Sequence, residues 1–399
     1  MRHLNNITRL MVLACVFLAG CQKDEEIGTP KTILTLQVDA GTSLVGDNWI
    51  FATDATGEVL GVEQYAPGKT VTFTSAKAVD KITVNFFQYS EQQVETTMQR
   101  YTWISSYADV PAGTALHIEA DRTDLPPWSK ATFSLTDVDN GDIGFTNGSV
   151  ADPSYVLSNG TLDVDLSFFG SPSDVLMTGY RAGVPVYNWA TGVKDGDKIT
   201  RDYETDFTPF QHQITLDFDG ITSAYVLAQN ARGKNYSLIR NPNETPGVKP
   251  VIGYVDGFDS YRTTIRNAQT NGVVTYEKSG TFNLSPTIPA FTFSKISDDF
   301  QDYAFNFSQD YTYYAVAWGY SDGADYFSWN KTALAGTTVK QLSIPKEIAA
   351  KYPTPDASKF KFYGVGFTKV LQGDLFLQSM PGMPELSGPY ESYTYWPAP

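Results

Sequence analysis

Gly319-Tyr-Ser-Asp-Gly323 has the spacing of a nucleophile elbow, the strained turn that lifts a serine hydroxyl above a sheet. That geometry must run on into a helix and needs a histidine later in the chain. Here Ala324–Trp329 alternates like a returning strand, and the last histidine is His212. A hairpin loop rich in Gly and Asp accounts for the match, and Ser321 is not expected to act as a nucleophile. His117 and His212 each sit in a strand pattern with no second ligand type nearby in sequence, so a metal centre or a triad would need one of them paired across the fold. Asp195/Asp197, Asp217/Asp219 and Asp298/Asp299/Asp302 are acids that could serve hydrolysis, which requires two carboxyl groups facing each other across a sugar. Asp137-Val-Asp139-Asn-Gly141-Asp142 opens like a calcium loop, but glycine stands where the third ligand belongs and no glutamate closes the loop. These readings assign no catalytic residue, no metal and no cofactor.

The aromatic residues carry a different chemistry. Tyr, Phe and Trp crowd the stretch from Tyr303 to Trp329. In the strand pattern 311–320, Tyr314, Val316, Trp318 and Tyr320 share one face, while Tyr311, Tyr313, Ala315 and Ala317 share the other. One such face is enough for a core. The surplus points to a platform that stacks on sugar rings, with Tyr311, Tyr313, Tyr326 and Trp329 as its candidate residues and Tyr390, Tyr393, Tyr395 and Trp396 as a further supply.

The elements that must position these rings are strands. Tyr and Phe number 24 each, with Gly 32 and Pro 22, and Thr and Val recur in alternating runs. Seven short strands are expected over 32–120: Thr32–Val38, Asn48–Thr53, Val59–Tyr65, Thr70–Thr74, Lys81–Tyr89, Met98–Ser105 and Ala115–Ala120. Asp54-Ala-Thr-Gly57 is expected to turn a hairpin, and so is Asn140-Gly141. Proline-stiffened breaks at 121–128 and 241–250 divide the chain into 32–126, 127–245 and 246–399, the last free to merge with the second. The expected class is all-β, built of tandem immunoglobulin-like or transthyretin-like sandwiches. The single convincing helix lies near Pro345–Tyr352, where Pro345 suits the first turn and Pro353 ends it.

The ends and totals bound the setting. Arg2 and Arg9 precede the short apolar run Leu10–Phe17, which is too short to span a bilayer, so 1–20 is expected to be a secretion signal and 21–31 a flexible tether. The only cysteines are Cys15 and Cys21, one inside that signal and one directly after it. No thiol is left for a disulfide, a thiolate nucleophile or a zinc site in the folded part. The net charge of −15 repels nucleic acid and anionic lipid.

Leu18-Ala19-Gly20-Cys21 resembles the lipobox of bacterial lipoprotein precursors, which implies diacylglycerol on the Cys21 thiol. Lys23-Asp24-Glu25-Glu26 resembles the export signal of Bacteroidota surface lipoproteins, which implies an outer-membrane position facing the medium. With tandem sandwiches, the chain resembles the β-rich surface lipoproteins of that phylum. This group includes glycan-capturing proteins and fimbrial subunits. The expected partners are a membrane, through the N-terminal lipid, and an extracellular glycan. A non-catalytic binding protein is the first reading. Its rivals are a carboxylate-dependent polysaccharide hydrolase and an adhesive surface subunit, and the sequence leaves the oligomeric state open.

Overall fold

The computed structural model of the protein describes residues 29–398, apart from 122–125, 139–142, 149–153, 217–219, 240–248, 283–290, 301–302, 338–343, 374–379 and 382–387. Cys21, the Lys23–Glu26 motif, the Asn140-Gly141 turn, Asp217, Asp219 and Asp302 lie outside the described residues.

The chain is all-β. Its first stretch forms β1 (Lys31–Val38), β2 (Asp47–Thr53), β3 (Val59–Tyr65), β4 (Thr70–Ser75), β5 (Lys81–Val94), β6 (Thr97–Pro111) and β7 (Thr114–Ile118). These are the seven strands that alternation predicts, with β5 and β6 each running several residues further. Asp54 turns the β2–β3 hairpin by accepting hydrogen bonds at Oδ1 from the Thr56 and Glu58 amides and the Thr56 hydroxyl.

The middle stretch forms β8 (Trp128–Thr136), β9 (Gly144–Thr146), β10 (Ser154–Ser158), β11 (Thr161–Phe169), β12 (Ser173–Arg181), β13 (Val184–Val193), β14 (Lys198–Asp202), β15 (Thr208–Pro209) and β16 (His212–Thr215). The last stretch forms β17 (Ile221–Gln229), β18 (Asn235–Ile239), β19 (Val251–Tyr254), β20 (Ser260–Gln269), β21 (Gly272–Gly280), β22 (Phe293–Asp298), β23 (Tyr303–Phe307), β24 (Tyr313–Asp322), β25 (Asp325–Leu334), β26 (Lys361–Val370) and β27 (Tyr390–Pro397). Between β25 and β26 lies the short helix α1 (Lys346–Ala349), which follows Pro345 as its N-cap and ends before the expected Tyr352.

A twelve-stranded sheet in the order β18-β17-β20-β21-β27-β26-β24-β25-β6-β5-β2-β3 is the frame of the molecule. The expected segments 32–126 and 246–399 each supply a run of neighbouring strands to it, and the two runs join where β6 and β25 pair in parallel. The sheets are therefore not divided along the segment boundaries.

One face of this frame is buried along its length. Alternation sends Phe87, Ile104, Trp329, Trp318, Val316, Val365 and Phe367 to that face, where the β22–β23 hairpin and Ile348 of α1 cover them. Ala224, Val226 and Ile265 continue it under the β16–β19 pair, whose Ile252 and Tyr254 pack in the same cluster. The middle stretch is a separate sandwich, β10-β11-β8-β14 over β15-β13-β12-β9, closed on Phe133, Phe145, Leu166, Phe168 and Val175.

The opposite face of the frame is covered only in part. The β4-β1-β7 sheet packs Leu34, Leu36, Val71 and Phe73 against Ile50, Ile82, Val84 and Phe86 to close the first sandwich. Tyr313 and Tyr390 join that cluster at its margin.

Lys331 of β25 is fully buried in the aromatic cluster of the covered face. Its ammonium lies 3.8 Å from the centroid of Phe300, within 6 Å of Tyr303, Trp318 and Trp329, and donates to the Phe300 carbonyl at 3.0 Å. Burial pushes its pKa down to about 7, against a smaller opposing pull from Asp299.

Candidate functional site

The four aromatic residues singled out from sequence do not form one platform. Trp329 is 2% exposed, and its indole nitrogen donates to Ser106 Oγ at 2.8 Å. Tyr313 is 6% exposed and belongs to the core of the first sandwich. Tyr311 is half-buried, with its ring 5.1 Å from Phe367 and 6.1 Å from Phe307, and desolvation raises its hydroxyl's pKa. The physical reason is phase: in β25, Phe327 and Trp329 take the buried face, which leaves Tyr326, Ser328 and Asn330 on the other. Tyr313 shares that face but lies under the first sandwich, so of the four Tyr326 is the one on its uncovered part.

Tyr326 is part of a row that sequence reasoning missed. It sits directly across the parallel β6–β25 pair from Tyr101, with ring centroids 4.9 Å apart and planes 18° apart. Trp103, two residues along β6 on the same face, stacks on Tyr101 at 5.2 Å and 5°. Three rings from two distant stretches therefore lie nearly parallel. Trp103 ends the row and is 38% exposed. The signal was present in β6, where Thr102 and Ile104 are buried and Tyr101, Trp103 and Ser105 alternate outward. The Tyr101 hydroxyl donates to Gln99 Oε1, which fixes the middle ring.

A second pair of rings lies across the same face. Trp103, Ser328 and Gly319 follow one another across β6, β25 and β24, and the ring of Tyr363 covers Gly319 so closely that a Cβ there would stand 2.5 Å from it. One row further, Ser105, Asn330, Ala317 and Gly364 follow one another, and Trp396 lies over Gly364, where a Cβ would stand 3.0 Å from its ring. Tyr363 is 47% exposed and Trp396 43%. Glycine is required at 319, where a Cβ would lift Tyr363 off the sheet, and at 364, where it would stand 2.8 Å from the Tyr395 carbonyl as well as against the Trp396 ring. Four strand spacings of about 4.8 Å put the β6 and β27 backbones about 19 Å apart. The rings of Tyr363 and Trp396 thus lie over β24 and β26, and a shallow trough floored by Ser328, Asn330 and Ala317 separates them from the Trp103 row on β6.

The other motifs stand elsewhere. Ser321 is exposed near the end of β24, and Gly323 turns the chain into β25, so the nucleophile-elbow match is a hairpin. His117 Nε2 lies 2.8 Å from Asp39, and His212 Nε2 lies 2.8 Å from Asp256, both on the surface and far apart in the fold. Asp195 and Asp197 accept from the Lys130 and Lys194 amides in a turn. The Lys295 ammonium holds Asp298 below the usual carboxylate range. Among the described residues no group of three His, Cys, Asp or Glu side chains is placed to hold a metal ion. Among the same residues no helix is long and apolar enough to cross a membrane.

Within the row the rings occupy one another's inner faces, so the outer face of Trp103 and the exposed rings of Tyr363 and Trp396 are what the trough offers to a ligand with C–H faces of its own. No protein-family model, no curated protein and no solved structure matches the chain.

Proposed function

We propose that the protein is a non-catalytic, lipid-anchored cell-surface protein that binds an extracellular glycan by stacking sugar rings along this trough. The observation that carries the reading is the Trp103–Tyr101–Tyr326 row, three aligned rings ending in a solvent-exposed tryptophan, faced across the sheet by Tyr363 and Trp396. Pre-aligned rings lose little conformational freedom on binding, and a neutral stacking surface suits a chain whose net charge of −15 disfavours polyanions. Each ring contact is worth about 1 kcal/mol, so a few of them give millimolar binding that rises when a polymer occupies several at once. The Cys21 lipobox and the Lys23–Glu26 motif supply the address that would bring this surface to an external polysaccharide.

Affinity electrophoresis of the purified protein through gels containing neutral polysaccharides tests the reading. Retention is expected in at least one gel, and Trp103→Ala should weaken it by about five- to tenfold while the thermal midpoint stays near that of the parent. The proposal fails if the parent protein is retained by none of the gels, or if folded Trp103→Ala is retained equally.

A further inference from the structure

On the same face of the frame, where β17, β20, β21 and β27 lie side by side, a cavity of about 480 Å³ opens to solvent, within the size range of small-molecule sites. Gln229, Asn235, Asp259, Arg262, Ser279 and Gln372 supply its polar wall. Arg262 also faces the Tyr390 hydroxyl, which donates to Glu277. One acid and one base leave the wall with no strong net sign. What dominates is amide and hydroxyl groups that donate and accept from the same side chain, the pattern that matches a ligand made of vicinal hydroxyls.

The position of the cavity matters as much as its lining. β27 carries Trp396 in the trough and Tyr390 at the cavity, with Thr394 and Ser392 half-buried on the same face between them. Six residues at about 3.3 Å each separate the two by about 20 Å. Trough and cavity therefore lie along one strand, joined by small hydroxyl side chains rather than by apolar ones.

We infer that this cavity is a second subsite, which holds the terminal rings of a neutral, hydroxyl-only glycan whose interior stacks in the trough. The inference rests on the glycan-binding reading and adds to it a ligand class, uncharged oligosaccharide, and a mode, capture near a chain end. Short oligosaccharides should bind in the cavity by hydrogen bonds, whereas the trough alone needs a polymer.

The test is isothermal titration of the purified protein with cellotriose, laminaritriose, maltotriose, mannotriose and xylotriose, beside gel retention on the parent polysaccharides. At least one trisaccharide is expected to bind. The double variant Gln229→Ala/Asn235→Ala, which truncates two exposed side chains, should weaken that binding by about tenfold. Ser279→Trp, which fills the cavity, should abolish it. If no trisaccharide binds while a polysaccharide is still retained, the cavity inference is wrong and the trough reading survives. Trisaccharide binding unchanged in the folded double variant also overturns the inference. If neither trisaccharide nor polysaccharide binds, both fall together.

Discussion

Lys331 shows how far this core goes to keep a charge that an apolar residue could replace. Its amine is fully buried among Phe300, Tyr303, Trp318 and Trp329, and desolvation brings its pKa down to about 7. In the unfolded chain the same amine titrates in the ordinary lysine range, so between about pH 7 and about pH 10 the unfolded state binds the extra proton. Stability from this group therefore rises with pH across that window and is flat below it. Lys331→Met keeps the volume and removes the titration. The variant is expected to be more stable at pH 7 by about 1–4 kcal/mol, with the gap closing toward pH 10. Urea midpoints of both proteins at the two pH values read this directly, because tyrosine ionisation is common to both and cancels. A difference that stays the same at both pH values would show that desolvation of the amine is not its source.

At the scale of the strand, alternation decides what each aromatic residue becomes. The strands of 32–120 were legible because Ile82, Val84 and Phe86, or Val71 and Phe73, repeat with a period of two and are bounded by turn residues. The apolar set Tyr314, Val316, Trp318 and Tyr320 was also read correctly as core. Which rings lie outside was not legible. Both faces of 311–329 are aromatic, so sequence fixes the alternation but not its phase, and Trp329 went to the core while Tyr326 did not. The row itself depends on Tyr101 meeting Tyr326 across a parallel pair, a contact between distant stretches that no local pattern encodes. β13 and β20 carry no such clean pattern, since polar residues interrupt their apolar positions. The glycine beneath Tyr363 gives a test at this scale. A Cβ at Gly319 would stand 2.5 Å from the Tyr363 ring and 2.9 Å from the Phe327 carbonyl, so Gly319→Val should cost about 1–3 kcal/mol. In a double-mutant cycle Tyr363→Ala should recover part of that loss, and strictly additive effects would show that the ring does not rest on the glycine.

At the scale of the whole molecule, the proposed anchor and the proposed binding face have separate tests. If Cys21 carries the only lipid, Cys21→Ser should move the protein from membrane to soluble fractions without changing its thermal midpoint. Continued sedimentation of the variant with membranes would count against lipidation as the anchor. The frame has a consequence of its own, which concerns time rather than shape. Arg100 of β6 meets Asp325 of β25 across 225 positions of chain, and this parallel pair is where the two halves of the sheet join. Closing so long a loop is costly, and non-local pairings of this kind form late. A chain made from its N-terminus finishes β2, β3, β5 and β6 long before β25 exists. Until then the outer edge of β6 is a bare row of amides and carbonyls, which other strands can join. The moment of greatest risk in the life of this protein is thus the interval before its C-terminal strands arrive, and a chain that stops short of β25 would remain in that interval permanently.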